Sequence, residues 1–420
     1  MAARKMRQLR MDFDHQPIEQ SNVDALVAEM AEVYLRDDRP WVIGFSGGKD
    51  STCVVQLAYR MLMALPPAKR VKTVWIVSSD TLVENPRVAE WLDKCHAELR
   101  QAAADNQLPV KVVKVTPSPE DSFWVCLIGK GYPAPTNDFR WCTGRLKIEP
   151  SEAYVLEHIE PDGRILQLLG SRKAESKARA QSIEAHALDG KFGTTGSLTN
   201  GLSYQPIQEW DNDAAWEYLR LFPTPWNRPD DVVRIPDPLT RQPVPHYNNE
   251  LFCLYQDGHG GECVLDFDRR TASCGGSRFG CWTCTVVPED VSMRNMVAMV
   301  TPEYAPLLAF RDKIQRYRND YSTRDLIGRT GRVRLTTRAP EPDVNGNVLH
   351  GPWVTPGPHW LHIRAEFLRN LFEIERALPG FRTVTDEDLH WIRHWWEHDG
   401  GDPGLVDQIR TEVLGNGGAS

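Results

Sequence analysis

Ile43-Gly44-Phe45-Ser46-Gly47-Gly48-Lys49-Asp50-Ser51 runs an apolar strand candidate straight into a glycine-rich turn carrying Ser, Lys and Asp. Gly47 and Gly48 let the backbone approach an anion and adopt positive φ without a Cβ clash. Good helix formers with an apolar face follow at 52–65. They put the turn at a helix N-terminus, where free N–H groups and the macrodipole favour anions. Lys49 adds a full positive charge, so the turn reads as a phosphate holder. Its spacing, SGGKDS, is not that of the Walker A loop, which needs four residues between its first Gly and the Gly-Lys-[Ser/Thr] ending. An ordinary strand-to-helix turn is the competing reading, and Lys49, Asp50 and Ser51 together weigh against it.

Outward from the loop, apolar segments at 41–45, 71–78 and 110–115 alternate with helical stretches at 52–65 and 88–104. That alternation predicts an α/β fold with a parallel sheet. A strand at 164–169 leading into a helical 174–188 extends the α/β domain over 1–221, with a helix at 23–35 near its start. Right-handed crossovers place ligands at the C-terminal strand ends. Pro, Asn, Asp and Arg crowd 222–247, which reads as an irregular surface excursion. With the cysteine-rich segment it makes a second region, 222–290. The third region, 291–420, is helical to about 317, broken by a Pro/Gly-rich 339–358, and helical again at 361–378 and 386–396, with Thr385 as a cap. Trp391, Trp395 and Trp396 fall at helical spacing and read as core ahead of a stacking platform.

The chain has 420 residues, a net charge of −8 and nine cysteines. Its length allows two or three domains, and its apolar and charged fractions are those of a soluble globular protein. No apolar run approaches the roughly 20 residues that span a bilayer, and the first residues lack a signal peptide's apolar stretch. The expectation is a cytoplasmic protein with no membrane partner. Clustered cysteines in odd number point to thiols or metal ligands rather than a secreted disulfide framework. The acidic balance argues against an indiscriminate polyanion binder. Locally, however, 311–338 sets nine Arg or Lys against Asp312, Asp320 and Asp325, a net of +6. Tyr317 and Tyr321 interleave with them, as on a nucleic-acid surface; a solvated helix face is the equal alternative.

Four more signals carry chemistry. Asp80, in Ser78-Ser79-Asp80-Thr81, would end a strand beside the phosphate loop, where a carboxylate can hold Mg²⁺ or a nucleoside, or merely cap a helix. Gly170-Ser171-Arg172 through Glu175, Ser176 and Arg179 follows a strand, so Arg172 and Arg179 can clamp phosphate oxygens. Cys142 lies between Arg140, Arg145 and Lys147, which would favour its thiolate if they converge; a plain buried cysteine is the alternative. Cys263-x10-Cys274-x6-Cys281-x2-Cys284, set among glycines, can wrap a structural zinc or a [4Fe–4S] cluster, and spacing alone does not choose between them.

The SGGKDS loop resembles the PP-loop of ATP pyrophosphatases, which cleave ATP between its α and β phosphates. Together with Trp141-Cys142-Thr143 through Lys147 and Pro150, GxRxxESxxR, and Pro206-Ile207 with Trp210, Asp213 and Trp216, the order resembles phosphoadenosine-phosphosulfate reductases over roughly 40–290. Two departures stand out. The paired cysteines of the family's iron–sulfur members appear here as Trp141-Cys142, and no Glu-Cys-Gly-x-His tail closes the chain. Ser277-Arg278-Phe279-Gly280-Cys281-Trp282-Thr283-Cys284, 79–86 and 139–142 are similar instead to the sulfurtransferases of bacterial DNA phosphorothioation, the DndC and SspD families, over nearly the whole chain.

That resemblance implies that Ser46, Gly47, Gly48, Lys49, Asp50, Ser51, Asp80, Arg172 and Arg179 hold ATP with Mg²⁺. It implies catalytic roles for Lys49, Asp50, Cys142 and Arg172, with Cys142 a candidate sulfur carrier. It further implies a [4Fe–4S] cluster on Cys263, Cys274, Cys281 and Cys284, to which Cys142 can contribute. The implied partners are DNA, a cysteine desulfurase as sulfur donor and other phosphorothioation subunits. The rivals are a small-molecule reductase, a tRNA thiolation enzyme, and a non-catalytic DNA-binding subunit switched by nucleotide.

Overall fold

The computed structural model describes residues 18–196, 198–226, 228–236, 241–258, 280–329, 331–336 and 353–415. They form two compact units that interleave along the chain. The first takes the described part of 1–76 with 96–112 and 162–253; the second takes 77–95, 113–161 and the described part of 254–420.

From the N-terminus the predicted alternation is present as α1 (Gln20–Arg36), β1 (Trp41–Gly44), α2 (Lys49–Ala64), β2 (Val74–Ser79), α3 (Pro86–Asp105) and β3 (Val110–Val115). The helix after the loop starts at Lys49 rather than Thr52, so Lys49, Asp50 and Ser51 form its first turn. A helical passage follows as α4 (Trp141–Thr143), one π-helical turn at Gly144–Ile148, and α5 (Glu149–Tyr154). Then come β4 (Leu166–Leu168), α6 (Lys177–His186), β5 (Ala187–Asp189), β6 (Phe192–Thr194), β7 (Leu202–Tyr204) and α7 (Asn212–Leu221).

Seven strands make one sheet in the order β3-β2-β1-β4-β7-β6-β5. β1 runs parallel to β4 and β4 to β7, with Trp41 opposite Leu166 and Leu168 opposite Tyr204. β6 and β5 add an antiparallel edge. The fold is therefore α/β with a mostly parallel sheet, and the edge corrects the helix expected to reach Leu188. Asp189-Gly190 is a hairpin signal, and Gly190 makes the turn at φ 55. The helical periodicity of 174–188 hid it.

In the first unit α2 packs against α1 and α7. Cys53, Val54, Leu57, Met61 and Leu62 bury one face of it completely. The stretch expected to be irregular holds a hairpin, β8 (Val233–Pro236) with β9 (Pro243–His246), pairing Val233 with His246 and Pro236 with Pro243. Proline is tolerated there because the ribbon has only two strands, so N–H groups facing outward need no partner.

The chain continues as α8 (Asn249–Gly258), α9 (Val291–Met299), α10 (Ala305–Asn319), the antiparallel pair β10 (Arg334–Thr336) and β11 (Trp353–Thr355), α11 (Leu361–Ala377), α12 (Asp386–His398) and α13 (Leu405–Leu414). Thr385 caps α12 reciprocally with Asp388, as its sequence predicts. Trp124, Phe310, Phe367, Leu371, Ile392 and Trp396 close one core cluster in the second unit. Trp396 is fully buried and its Nε1 donates to the Ile128 carbonyl at 2.9 Å. Trp391 and Trp395 pack against the cluster's margin. The core reading holds for Trp396, while Trp391 and Trp395 are half-buried. Among the described residues no helix is long and apolar enough to cross a membrane.

The basic stretch at 311–338 is only partly a surface. Arg311 is buried and donates to the carbonyls of Cys284 (2.9 Å), Pro288 (3.2 Å) and Val287 (2.5 Å). Arg324 is buried against the carbonyls of Pro356 and Gly357. Burial and the carbonyls' fixed dipoles explain these positions: guanidinium is the one cation that can satisfy several loop carbonyls at once.

Candidate nucleotide and thiol sites

In the first unit, β1 delivers Phe45 and Ser46 to the turn, Gly47 takes φ 70, and Gly48 caps α2 with extended backbone. Of the two glycines expected at positive φ, only Gly47 adopts it. Ser51 Oγ ties the loop together, donating to the Gly48 carbonyl at 3.0 Å and meeting Ser46 Oγ at 3.2 Å. The Ser46 amide reaches Ser51 Oγ at 3.3 Å and the Gly48 amide reaches Ser46 Oγ at 3.4 Å. Both bonds are longer than a typical N–H···O bond, so an incoming phosphate oxygen can replace them at little cost.

Asp50 is gripped from both sides, by Lys49 Nζ at 2.9 Å and by Arg172 Nε at 2.7 Å. Lys49 is 7 % exposed and Arg172 2 %. Two buried cations share one carboxylate at the N-terminus of a sixteen-residue helix. The local excess of positive charge is thus fixed in place before any anion arrives. Arg172 is anchored further by the Trp210 carbonyl at 3.3 Å.

Sequence reasoning found Arg172 but missed what lets it approach. A Cβ on Gly170 would lie 2.7 Å from the Asp50 carbonyl carbon and 3.0 Å from the Ser51 amide nitrogen. Only glycine allows the end of β4 to pass so close to the first turn of α2. Arg179 is not drawn into this set. It sits half-exposed on α6 and pairs with Glu175 at 3.2 Å, while Ser176 caps the helix by accepting from the Arg179 amide.

Asp80 follows β2 in the second unit. Its carboxylate accepts from the Leu82 amide at 2.9 Å and pairs with Lys114 at 3.1 Å. These contacts are those of a turn-former rather than of the helix cap expected as the alternative, and they give the carboxylate two partners already.

The second unit brings Cys142, Cys281 and Cys284 to one pocket of about 480 Å³. Cys142 comes from α4; Cys281 and Cys284 come from a turn that is stitched to the segment after β2. In that seam the Trp282 amide donates to the Val83 carbonyl at 3.0 Å, and the Asn85 amide to the Gly280 carbonyl at 3.2 Å. Trp282, its ring tilted 46° to that of Trp124 at 5.6 Å, pins the turn to the core, and Arg311 holds its Cys284 carbonyl. Cys263 and Cys274 lie outside the described residues.

Burial raises the Cys142 thiol, and the neighbouring Cys284 adds to the rise. The expected activation by flanking cations therefore fails. Arg145 turns away to Asp121, and Arg140 is bound to Asn137 at 2.7 Å. Burial and then Glu84 push the Cys281 thiol well up. Burial alone would lower Lys147, but Cys281 and Glu84 outweigh it and hold Lys147 above the usual lysine range. Lys147 Nζ lies 3.3 Å from Glu84 Oε1, and Thr81 Oγ1 lies 3.1 Å from Cys281 Sγ. Nothing in the spacing of the sequence connects Thr81 and Glu84 to Cys281.

These residues suit a thiolate-bound metal centre in donor chemistry. Thr283 Oγ1 is fully buried on the pocket wall without a hydrogen-bond partner among the described residues. Thiols that resist ionisation, as those of Cys142 and Cys281 do, become favourable ligands once a metal replaces their protons. Among the described residues no three His, Cys, Asp or Glu side chains are already disposed to hold an ion.

Residues 40–228 match the phosphoadenosine phosphosulfate reductase domain. That stretch is a PAPS reductase-like PP-loop domain of the nucleotide-binding kind, and it contains the Ser46–Ser51 loop, Cys142 and Arg172. The chain is also similar to two uncharacterized proteins of Methanocaldococcus jannaschii, at 25 % identity over 195 residues and 27 % over 177, covering 46 % and 42 % of this chain. It spans only about a third of their length, 34 % and 35 %. Among solved structures it is similar to the PAPS reductase from Candida auris in its phosphate complex, with 18 % identity, TM-score 0.29, and coverage of 49 % of this chain and 87 % of that one. It is also similar to the U34-tRNA thiolase NcsA from Methanococcus maripaludis with its [4Fe–4S] cluster, with 12 % identity, TM-score 0.30, and coverage of 47 % and 63 %. Likeness at those scores says nothing about what this chain does.

Proposed function

We propose that the chain is an ATP-dependent sulfurtransferase that activates a DNA backbone phosphate for bacterial DNA phosphorothioation. The observation that carries this reading is the presence of two kinds of site in one chain: an anion loop braced by Arg172 and Lys49, and a pocket lined by three cysteines.

In the first step a non-bridging DNA phosphate oxygen attacks the α-phosphorus of ATP. The bond from that phosphorus to the bridging oxygen breaks, and pyrophosphate leaves with the electron pair. Amides of Ser46 to Gly48, Lys49 and Arg172 stabilise the departing charge, and Mg²⁺ accompanies the nucleotide as substrate. In the second step the terminal sulfur of a persulfide attacks the DNA phosphorus and AMP leaves. A thiol reductant then cleaves the remaining S–S bond, supplying two electrons and becoming part of a disulfide, so that phosphorothioate stays in the backbone. A cysteine desulfurase is the proposed source of the persulfide, and further phosphorothioation subunits are proposed partners.

Cys263, Cys274, Cys281 and Cys284 would hold a [4Fe–4S] cluster, which when bound supplies iron that can bind sulfur, with Cys142, beside Cys281 and Cys284, as the candidate sulfur carrier. Lys147 and Glu84 keep Cys281 in a charged, hydrogen-bonded surround, and Trp282 and Phe123 exclude water from that wall.

The decisive experiment digests host DNA with nucleases and measures phosphorothioate dinucleotides by mass spectrometry. Lys49→Ala and, separately, Cys281→Ser are expected to abolish them; normal levels in both variants sink the proposal. The matched domain leaves a reductase acting on a small phosphosulfate as the second reading, and ATP-independent sulfite release would favour it. Anaerobic purification separates the metals: a brown protein absorbing near ~400 nm carries iron–sulfur, a colourless one with stoichiometric zinc does not.

A further inference from the structure

The second unit holds a groove of about 870 Å³ lined by residues 131–133, 136, 138 and 139, by 328, 329 and 332–334, and by 355–358. Five arginines line it, at 318, 324, 329, 332 and 334, with Asp138 as the carboxylate on its rim.

The five do different jobs. Arg318 donates to the carbonyls of Pro135 (3.1 Å) and Thr285 (2.7 Å), and Arg324 to those of Pro356 and Gly357. Arg329 binds the Lys130 carbonyl at 2.7 Å and Asp399 at 2.9 Å. These three build the walls. Glycine tightens the floor: a Cβ on Gly357 would fall 2.1 Å from the Ile327 carbonyl oxygen. The groove is therefore pre-formed.

Arg332 and Arg334 build nothing. Both are exposed, and neither has a hydrogen-bond or ion-pair partner through its side chain among the described residues. Phe139, lining the same groove, is an exposed aromatic, 47 % accessible, with its ring 6.4 Å from that of Tyr132. Uncommitted guanidinium groups and an uncovered aromatic ring in one groove are what a single strand needs, with phosphates neutralised by the charges and a base stacked on the ring. An acidic peptide would use the charges but not the ring. Position supports the same occupant: Phe139 lines the groove and its neighbour Arg140 lines the thiol pocket, as does Pro135, whose carbonyl Arg318 holds.

We infer that this groove seats a single-stranded nucleic-acid segment, its phosphates on Arg332 and Arg334 and an unpaired base on Phe139, and leads it toward the thiol pocket. The inference rests on the reading of a DNA backbone as substrate and names the surface that presents it.

The test is fluorescence anisotropy of the full chain with a labelled single-stranded oligonucleotide about a dozen nucleotides long. The same titration is run with the duplex, the matching RNA and polyglutamate, over a range of salt. R332A/R334A is expected to weaken single-strand binding at least about tenfold and to flatten the log–log salt slope by about 1.4, two phosphates at about 0.7 each. Phe139→Ala is expected to weaken it roughly fivefold or more with the slope unchanged. Far-UV circular dichroism confirms that each variant is folded. Unchanged affinity in both, or equal affinity for polyglutamate, overturns the groove. Tighter binding of RNA keeps the groove and counts against DNA as substrate. If Lys49→Ala and Cys281→Ser both leave phosphorothioate intact while R332A/R334A loses oligonucleotide, the function falls and the groove stands.

Discussion

The nucleotide loop and the thiol pocket are built in opposite ways. The loop is local: six consecutive residues and one arginine satisfy one another, and the network of Ser46, Ser51, Lys49, Asp50 and Arg172 is complete without a ligand. The pocket is assembled from remote segments, and its polar groups are left expectant. Its Cys142 and Cys281 thiols resist ionisation, and Thr283 Oγ1 has no partner among the described residues. A site for a transient polyphosphate has to keep its shape between turnovers, whereas a site for a resident metal can leave its completion to the metal.

The largest expected effect tests the loop's self-sufficiency. Gly170→Val puts a branched side chain where even a Cβ meets the Asp50 backbone at 2.7 Å. β4's end must then withdraw and take Arg172 from Asp50. Pyrophosphate release is expected to fall by more than roughly a hundredfold, the scale of losing one preorganised charge donor, while metal content is kept. If a coupled pyrophosphate assay shows wild-type rates, Arg172 does not depend on this close approach.

The same contrast governs what the sequence makes legible. Ser46 to Ser51 lie side by side, and their chemistry follows from spacing alone; Arg172 could be read because it follows a strand. The fit of Gly170 against α2 could not, since a glycine's neighbour across space leaves no periodic trace. The parallel sheet was readable from alternating segments, but β5 was lost because a helical pattern ran on through its first two residues, 187 and 188. In the pocket, the cysteines signal a metal by number. That Cys142 joins Cys281 and Cys284, or that Glu84 and Lys147 flank them, depends on how α4 and the Gly280–Cys284 turn pack on the core. The basic stretch misleads for a related reason. Charge can be counted in a sequence, yet whether an arginine faces solvent or loop carbonyls is decided by chain turns that bring those carbonyls to it.

A middle-sized effect sharpens the pocket side. Arg311→Met keeps volume but strands the carbonyls of Cys284, Val287 and Pro288. Each buried acceptor left bare costs about 1–3 kcal/mol, partly relieved where water enters. We expect roughly 3 kcal/mol of lost stability by urea denaturation together with reduced metal content. Unaltered metal content with that same loss of stability would show that the turn holds its thiols without Arg311.

The smallest effect separates the regions by pH. His359, in the second unit, is fully buried against Phe367, and burial first, then the charge of Arg324, hold its imidazole at about 3. Unfolded, the same group titrates near ~6.5. Below that value the unfolded chain binds a proton that the folded chain refuses. This contribution is therefore neutral above about pH 6.5 and turns against folding as pH falls toward 3. Between about pH 7 and about pH 5.5 the loss is about 1 kcal/mol. His359→Asn removes the titrating group, so its urea midpoint should fall less over that interval than the wild-type midpoint, even if it starts lower. An equal fall in both would place the acid sensitivity elsewhere, with carboxylates held low in the fold, such as Asp399 paired with Arg329, the first place to look.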